Sequence, residues 1–201
     1  MNGRVHVFGE VLFDHFPDGS KVLGGAPFNV AWHLQAFGLS PRFISRVGDD
    51  EDGEQIKSAM QAWGMSLSGL QTDRKLPTGR VSVSLEDGEP AYDIVHPAAY
   101  DAISVPGEPT ADGLVYHGSL ALRDPVCRET LGEICSDGPG QVFMDVNLRP
   151  PWWREDGVLR WVRSADWVKL NLHELELLGK NRADPAASAR EFLQRYELQA
   201  L

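Results

Sequence analysis

The sequence has little that oxidation, metals or nucleic acid could use. Its 201 residues include two cysteines, Cys127 and Cys135, both in one helix-like stretch. A bridge between them is not expected, and reduced buried thiols are. Basic side chains are outnumbered, 19 Lys and Arg against 29 Asp and Glu, for a net charge of -10 with no basic block. That balance argues against nucleic acid and anionic membranes as main partners. No apolar run approaches the roughly 20 residues of a membrane span. The opening stretch MNGRVHVFGE runs into strand-like sequence without a signal peptide's apolar core, so a cytoplasmic location is the expectation. There is no G-x-G-x-x-G, and LGKN at 178–181 lacks the upstream glycine of a P-loop, so both common phosphate signatures are missing. The histidines at 6, 15, 33, 96, 117 and 173 show no metal-ligand spacing, and HELEL at 173–177 lacks the second histidine of a zincin.

What is present is an alternation. The chain is 42% hydrophobic and 24% charged, which suits one large globular domain or one domain with a small appendage. Short apolar strands are expected at RVHVFGEVLFD, 43–48, 114–120, 141–148 and 167–171. Helices are expected at about 27–37, 52–63, 124–136, 152–164 and 185–197, several opened by Asp or Pro as at Asp184-Pro185. This predicts an α/β fold with a mainly parallel sheet and helices on both faces. Ligands on such sheets bind beyond the carboxyl ends of the strands. One segment breaks the rhythm: GRVSVSLEDGEPAYDIV at 79–95 reads as a hairpin turning at Asp87-Gly88. A lone hairpin needs a surface to rest on. With a further extended stretch near FPDGSKVL, a small β lid is expected from about 15–23 and 79–96.

Several residues could carry chemistry. In KVLGGAPFNVAWHLQAFG, Gly24 and Gly25 precede an amphipathic run with Asn29 near its start. Either they form a turn before a packed helix, or the glycines let a polar ligand approach while the Asn29 amide donates to and accepts from hydroxyls. Asp14, after the first strand, is either a turn residue or a carboxylate that binds neighbouring hydroxyls. Asn171 and Glu174 form N-x-x-E at a strand end, a helix-capping pair or a place near a hydrated cation. Asp145, Asn147 and Arg149 share one side for as long as strand geometry persists. Arg149 either pairs with a surface carboxylate or forks onto phosphate. Lys169 reaches a ligand only if the register of its strand allows.

GEVLFDHFP, GGAPFNVAWHLQAFG, SRVGDDEDGE, MDVNLRPPWW and VKLNLHELELL closely resemble, in order and spacing, the PfkB or ribokinase-like carbohydrate kinases, especially bacterial fructokinases. The resemblance covers Val5 to about Leu178. It implies ATP-dependent phosphorylation of a sugar hydroxyl, with fructose first among candidates. A non-catalytic sugar-binding protein of the same fold, or a nucleoside or sugar-acid kinase, remains the alternative. It further implies sugar contacts from Asp14, Gly24, Gly25 and Asn29, with Tyr100 lining the pocket and Arg149 touching substrate or phosphate. Asn147, Lys169, Asn171 and Glu174 would face ATP, with Glu174 holding Mg2+ through water, and there is room for a monovalent cation. A homodimer through the β lid is compatible with it. The family's second signature, a G-A-G-D-like turn carrying the catalytic base, has no counterpart at 180–201. The expectation is an N-terminal portion of a longer kinase, with the base beyond Leu201 and little turnover by these residues alone.

Overall fold

The computed structural model describes residues 4–86, 89–107, 113–136, 140–179 and 184–201. The chain runs β1 (Arg4–Phe8), β2 (Leu12–His15), β3 (Lys21–Gly24), α1 (Ala26–Ala36), β4 (Arg42–Gly48), α2 (Glu51–Ala62) and β5 (Leu70–Asp73). It continues through β6 (Gly79–Glu86), β7 (Glu89–Ile94), a 3-10 turn at Ala99–Ala102, β8 (Gly113–His117) and a second 3-10 turn at Leu120–Arg123. Then follow α3 (Pro125–Ser136), β9 (Gln141–Asp145), α4 (Glu155–Val162), β10 (Trp167–Lys169), α5 (Leu172–Leu178) and α6 (Pro185–Arg195).

Six strands form one sheet in the order β10-β9-β8-β1-β4-β5, every pair parallel. Alternate side chains go to opposite faces, which is how the sheet is covered twice. Val7, Phe43 and Val47 pack with Phe28 and Ala31 of α1 and Ile56 and Met60 of α2. Phe8, Ile44, Val115 and Met144 pack instead with Leu131 of α3 and Val158 and Val162 of α4. Helix starts are set locally. Asp50 caps α2 by accepting from Gly53 N–H at 2.8 Å, and Asp184 caps α6 from Ala187 N–H at 3.0 Å.

The remaining strands form a smaller sheet in the order β3-β2-β6-β7. The β2–β3 and β6–β7 pairs are antiparallel and β2–β6 is parallel. The hairpin expected at 79–95 is therefore β6 and β7, while its turn residues Asp87 and Gly88 lie outside the described residues. By register, Asp14, Val22, Val81, Val83, Tyr92 and Ile94 share one face of this sheet. Lys21 pairs with Asp52 of α2, tying the edge of the small sheet to the helical layer.

The structure departs from the sequence-based expectation in several elements: α4 begins at Glu155 and not near 152, and α5 is an additional short helix. The first strand proves to be two, in different sheets, divided at Gly9-Glu10-Val11. Gly9 has φ +147, and a Cβ there would lie 2.5 Å from Cγ of Pro27, so the chain turns out of the large sheet directly beneath α1. β5 was not expected, because LQTD offers too few apolar residues to signal a strand.

Candidate functional site

The two sheets meet above the carboxyl end of β1, and the start of α1 lies at that junction. Asp14 is on β2, half-buried, opposite Val22. A Cβ on Gly24 would sit 3.3 Å from Asp14 Oδ2, so the missing side chain leaves the carboxylate accessible. Partial burial raises the Asp14 carboxyl above its ordinary range, with His15 pulling the other way. Gly25 has φ +108, and a Cβ would meet the Glu10 carbonyl oxygen at 2.7 Å, so only glycine fits. Asn29 donates its main-chain N–H to Gly25 O at 2.9 Å, and its residue is exposed one turn into α1. The β2–β3 pairing thus sets Asp14 beside Gly24 and Gly25, and Asn29 follows one turn into α1.

The second group lies at the ends of β9 and β10. Lys169 stands opposite Asp145 in the register and donates to its two oxygens at 3.0 and 3.2 Å, while Tyr116 Oη donates to Asp145 Oδ2 at 3.2 Å. Asn171 and Glu174 form a reciprocal capping box at the start of α5, with Asn171 N–H to Glu174 Oε2 at 2.8 Å and Glu174 N–H to Asn171 Oδ1 at 2.9 Å. Glu174 is 3% exposed, and its Oε1 accepts the Leu148 N–H at 2.8 Å. One carboxylate therefore joins the exit of β9 to α5. Asn147 does not continue the strand. Its φ is +39, so the expected alternation of Asp145, Asn147 and Arg149 is interrupted, and Arg149 emerges exposed with Nη1 donating to Leu148 O at 3.1 Å.

Tyr100 departs from expectation. It is 0% exposed, packed so closely on β6 that a Cβ on Gly79 would lie 2.7 Å from its ring carbons, with the Arg123 guanidinium 5.0 Å from its ring centroid. A ring sealed by backbone and guanidinium is core, not a pocket wall, and Tyr100 joins no open surface with Asp14.

Three features went unnoticed in the sequence. Arg123 binds Asp101 through Nε at 2.7 Å and Nη2 at 2.8 Å, both side chains almost fully buried, and lies 4.4 Å from the Trp152 ring centroid. It also donates to Val95 O at 2.9 Å, fastening the end of β7 to the main body. Glu10 is 2% exposed, and its carboxyl is pushed up to about 7 by burial. The signal for it was an ionisable residue set in the apolar run VHVFGEVLF. A cleft of about 370 Å3 beside α4 is lined by Arg123, Arg128, Trp152, Arg154 and Trp161, so it includes the tryptophans of MDVNLRPPWW but none of the residues given a binding role in the sequence.

Cation binding can be tested against these donors. Both Glu174 oxygens are engaged by main-chain N–H groups, so the residue suits contact with a hydrated ion through water and not direct ligation. Among the described residues, His96, Asp101 and Asp124 bring three ligand atoms within 4.8 Å, but Asp101 is committed to the Arg123 guanidinium, which repels a metal ion. No helix among the described residues is long and apolar enough to cross a membrane.

The two-sheet arrangement, parallel and helix-covered with a small β sheet at the carboxyl end, defines a ribokinase-like α/β fold. The pfkB family carbohydrate kinase pattern matches residues 5–199, and the chain belongs to that family. It is 29% identical over 209 residues to fructokinase-2 of Solanum lycopersicum, covering 91% of this chain and 64% of that protein. It is 30% identical over 218 residues to a fructokinase of Salmonella typhimurium, covering 100% of this chain and 70% of that one. A double-mutant fructokinase from Vibrio cholerae O395, solved in fructose, ADP and potassium ion bound form, aligns with a TM-score of 0.81 at 25% identity, over 98% of this chain and 68% of that one. The chain spans 64% of the tomato relative's length.

Proposed function

We propose that the protein transfers a phosphoryl group from ATP to a sugar hydroxyl, with fructose as the substrate. The observation that carries this reading is the cluster of Asp14, Gly24, Gly25 and Asn29 at the junction of the two sheets. A carboxylate accepts hydrogen bonds from two adjacent hydroxyls, an exposed amide both donates and accepts, and paired glycines admit a small polar molecule to the backbone. On this reading Asp14 and Asn29 hold the sugar. Arg149 and Asn147 face the transferring group, and Lys169, Asn171 and Glu174 border the nucleotide. Mg2+ bound with ATP supplies charge neutralisation at the phosphates, and Glu174 reaches it through water. A monovalent cation has no assigned ligand here. No residue of this chain is assigned the role of base, and turnover by residues 1–201 alone is expected to be negligible in an ADP-release assay with a sugar panel.

The small sheet acts as a lid in this scheme. Its Asp14-bearing face also carries Val22 and Tyr92, 55% and 65% exposed, an apolar margin suited to closing over the sugar or meeting the same face of a second copy in a cytoplasmic homodimer. The experiment is ligand protection: fructose should raise the Tm, a nucleoside should not, and Asp14→Ala should weaken fructose binding far more than ATP binding. Equal losses of the two, or protection by the nucleoside alone, would overturn the assignment.

A further inference from the structure

The cleft beside α4 opens on the α3 and α4 side of the large sheet, the face opposite α1 and α2, and it shares no lining residue with the Asp14 cluster. Its volume of about 370 Å3 lies toward the lower end of the range for small-molecule sites, about 300–1,000 Å3. The lining is cationic in a chain whose net charge is -10. At the rim, Arg154 meets Asp156 at 3.3 Å with side chains 85% and 77% exposed, so that pair does little.

Three inner side chains are placed differently. Arg128 of α3 is half-buried and held from behind, its Nη1 donating to Leu122 O at 2.8 Å and Arg123 O at 2.9 Å. No carboxylate among the described residues pairs with it, so a fixed guanidinium keeps its charge and its second amino group for an anion. Arg123 has a side chain 2% exposed, with Nε and Nη2 serving Asp101 and Val95 O. Its Nη1 is buried and has no hydrogen-bond partner among the described residues. An unbonded buried N–H is uncommon, and an acceptor from outside the chain would satisfy it. Trp153 is half-buried in the same lining, and neither its ring nor its indole N–H has a partner among the described residues. Trp152, by contrast, is engaged by Arg123 at 4.4 Å and by the His96 ring at 5.0 Å.

We propose that this cleft binds a sugar phosphate, its phosphate forked by Arg128 and completed by Arg123 Nη1, and its ring laid on Trp153. A phosphate monoester brings nearly two negative charges and three acceptor oxygens, which suit two guanidinium groups and an indole N–H. The C–H face of a sugar ring sets positive hydrogens against the negative face of an indole. Arg123 also holds Val95 O at the end of β7, so the occupant bears on the seat of the small sheet.

The test follows indole N–H resonances in protein carrying 15N at tryptophan, assigned through Trp152→Phe and Trp153→Phe, during titration with fructose 6-phosphate, fructose and inorganic phosphate. Fructose 6-phosphate should shift the Trp153 signal saturably, inorganic phosphate should bind more weakly, and fructose should not shift it. Arg128→Gln should weaken the response about tenfold or more, the loss expected for a charge-assisted hydrogen bond. Asp14→Ala should leave it in place. Since Arg128 also braces the second 3-10 turn, Trp153→Ala provides a variant that keeps both arginines, and its response, read at Trp152, should weaken as well. The proposal is overturned by an unshifted Trp153, by fructose or inorganic phosphate matching the sugar phosphate, or by either cleft variant binding as tightly as the parent. Loss of the shift in Asp14→Ala would assign the phosphate to the sugar cluster and overturn it too.

Discussion

The six-stranded sheet and the four-stranded sheet obey different rules. The first is buried on both faces, so its strands are short apolar runs and even its histidines are sealed, His6 and His117 at 0% exposure. The second rests one end on the main body and leaves Val22 and Tyr92 in solvent. The difference shows where stability and function separate: the large sheet holds the position of its carboxyl ends, and the small sheet brings Asp14 to them. Gly9, Glu10 and Gly25 form the joint between the two.

The largest expected effect comes from cutting the tie that holds the two regions together. Arg123→Ala leaves Asp101 buried without its partner and frees Val95 O, and should lower unfolding free energy by about 3–5 kcal/mol in urea titration. A loss below 1 kcal/mol would show that the small sheet is anchored elsewhere, as through Lys21 and Asp52.

The next contrast is in pH. Glu10 has its folded-state carboxyl raised from 4.5 to about 7 by burial, so the folded protein holds more protons than the unfolded chain in that window. Its contribution favours folding at the acid side and is lost as pH rises from about 4.5 to about 7, by about 3 kcal/mol. His117, in the large sheet, runs the opposite way. Burial lowers its imidazole from 6.5 to about 4, so its contribution is present above 6.5 and is lost as pH falls toward 4, also by about 3 kcal/mol. The two oppose each other between pH 4.5 and 6.5. Removing one exposes the other: relative to the parent, Glu10→Gln should lose stability more steeply on acidification and His117→Asn should gain it, in Tm measured across that range.

A smaller effect is expected at the joint. Gly25→Ala forces a Cβ to 2.7 Å from Glu10 O at φ +108, about 1–3 kcal/mol of strain. Fructose protection should vanish while the core unfolds otherwise normally, as seen by near-ultraviolet circular dichroism. The smallest belongs to the outer face. Val22→Ser with Tyr92→Ser should change monomer stability by about 0.5 kcal/mol or less, yet reduce dimer formation in sedimentation if that margin is an interface.

Much of the architecture was legible because a parallel sheet writes itself as apolar runs alternating with amphipathic helices. The hairpin was legible for the opposite reason, alternating Val81, Val83 and polar neighbours with no helix between. Less could be read where local pattern and tertiary demand part company. RVHVFGEVLFD looks like one strand since nothing in it states that Gly9 must pass beneath Pro27. Asn147 looks like a strand residue, and its left-handed backbone belongs to the loop that Glu174 ties to α5. The family resemblance alone gives Tyr100 a pocket-lining place, and its full burial against Gly79 and Arg123 is set by chain segments that no local pattern brings together.

The sequence by itself determined the α/β class, the two-part division and the identity of the motif residues, since periodicity, turn chemistry and ordered motifs are local properties. The tertiary structure alone decided which of those residues meet. Asp14 and Gly24 come together through antiparallel pairing, and Glu10 is isolated from water by two sheets that no short stretch describes. Burial and electrostatic reach depend on atoms brought from distant parts of the chain, and so the proton affinity of Glu10 is a property of the fold.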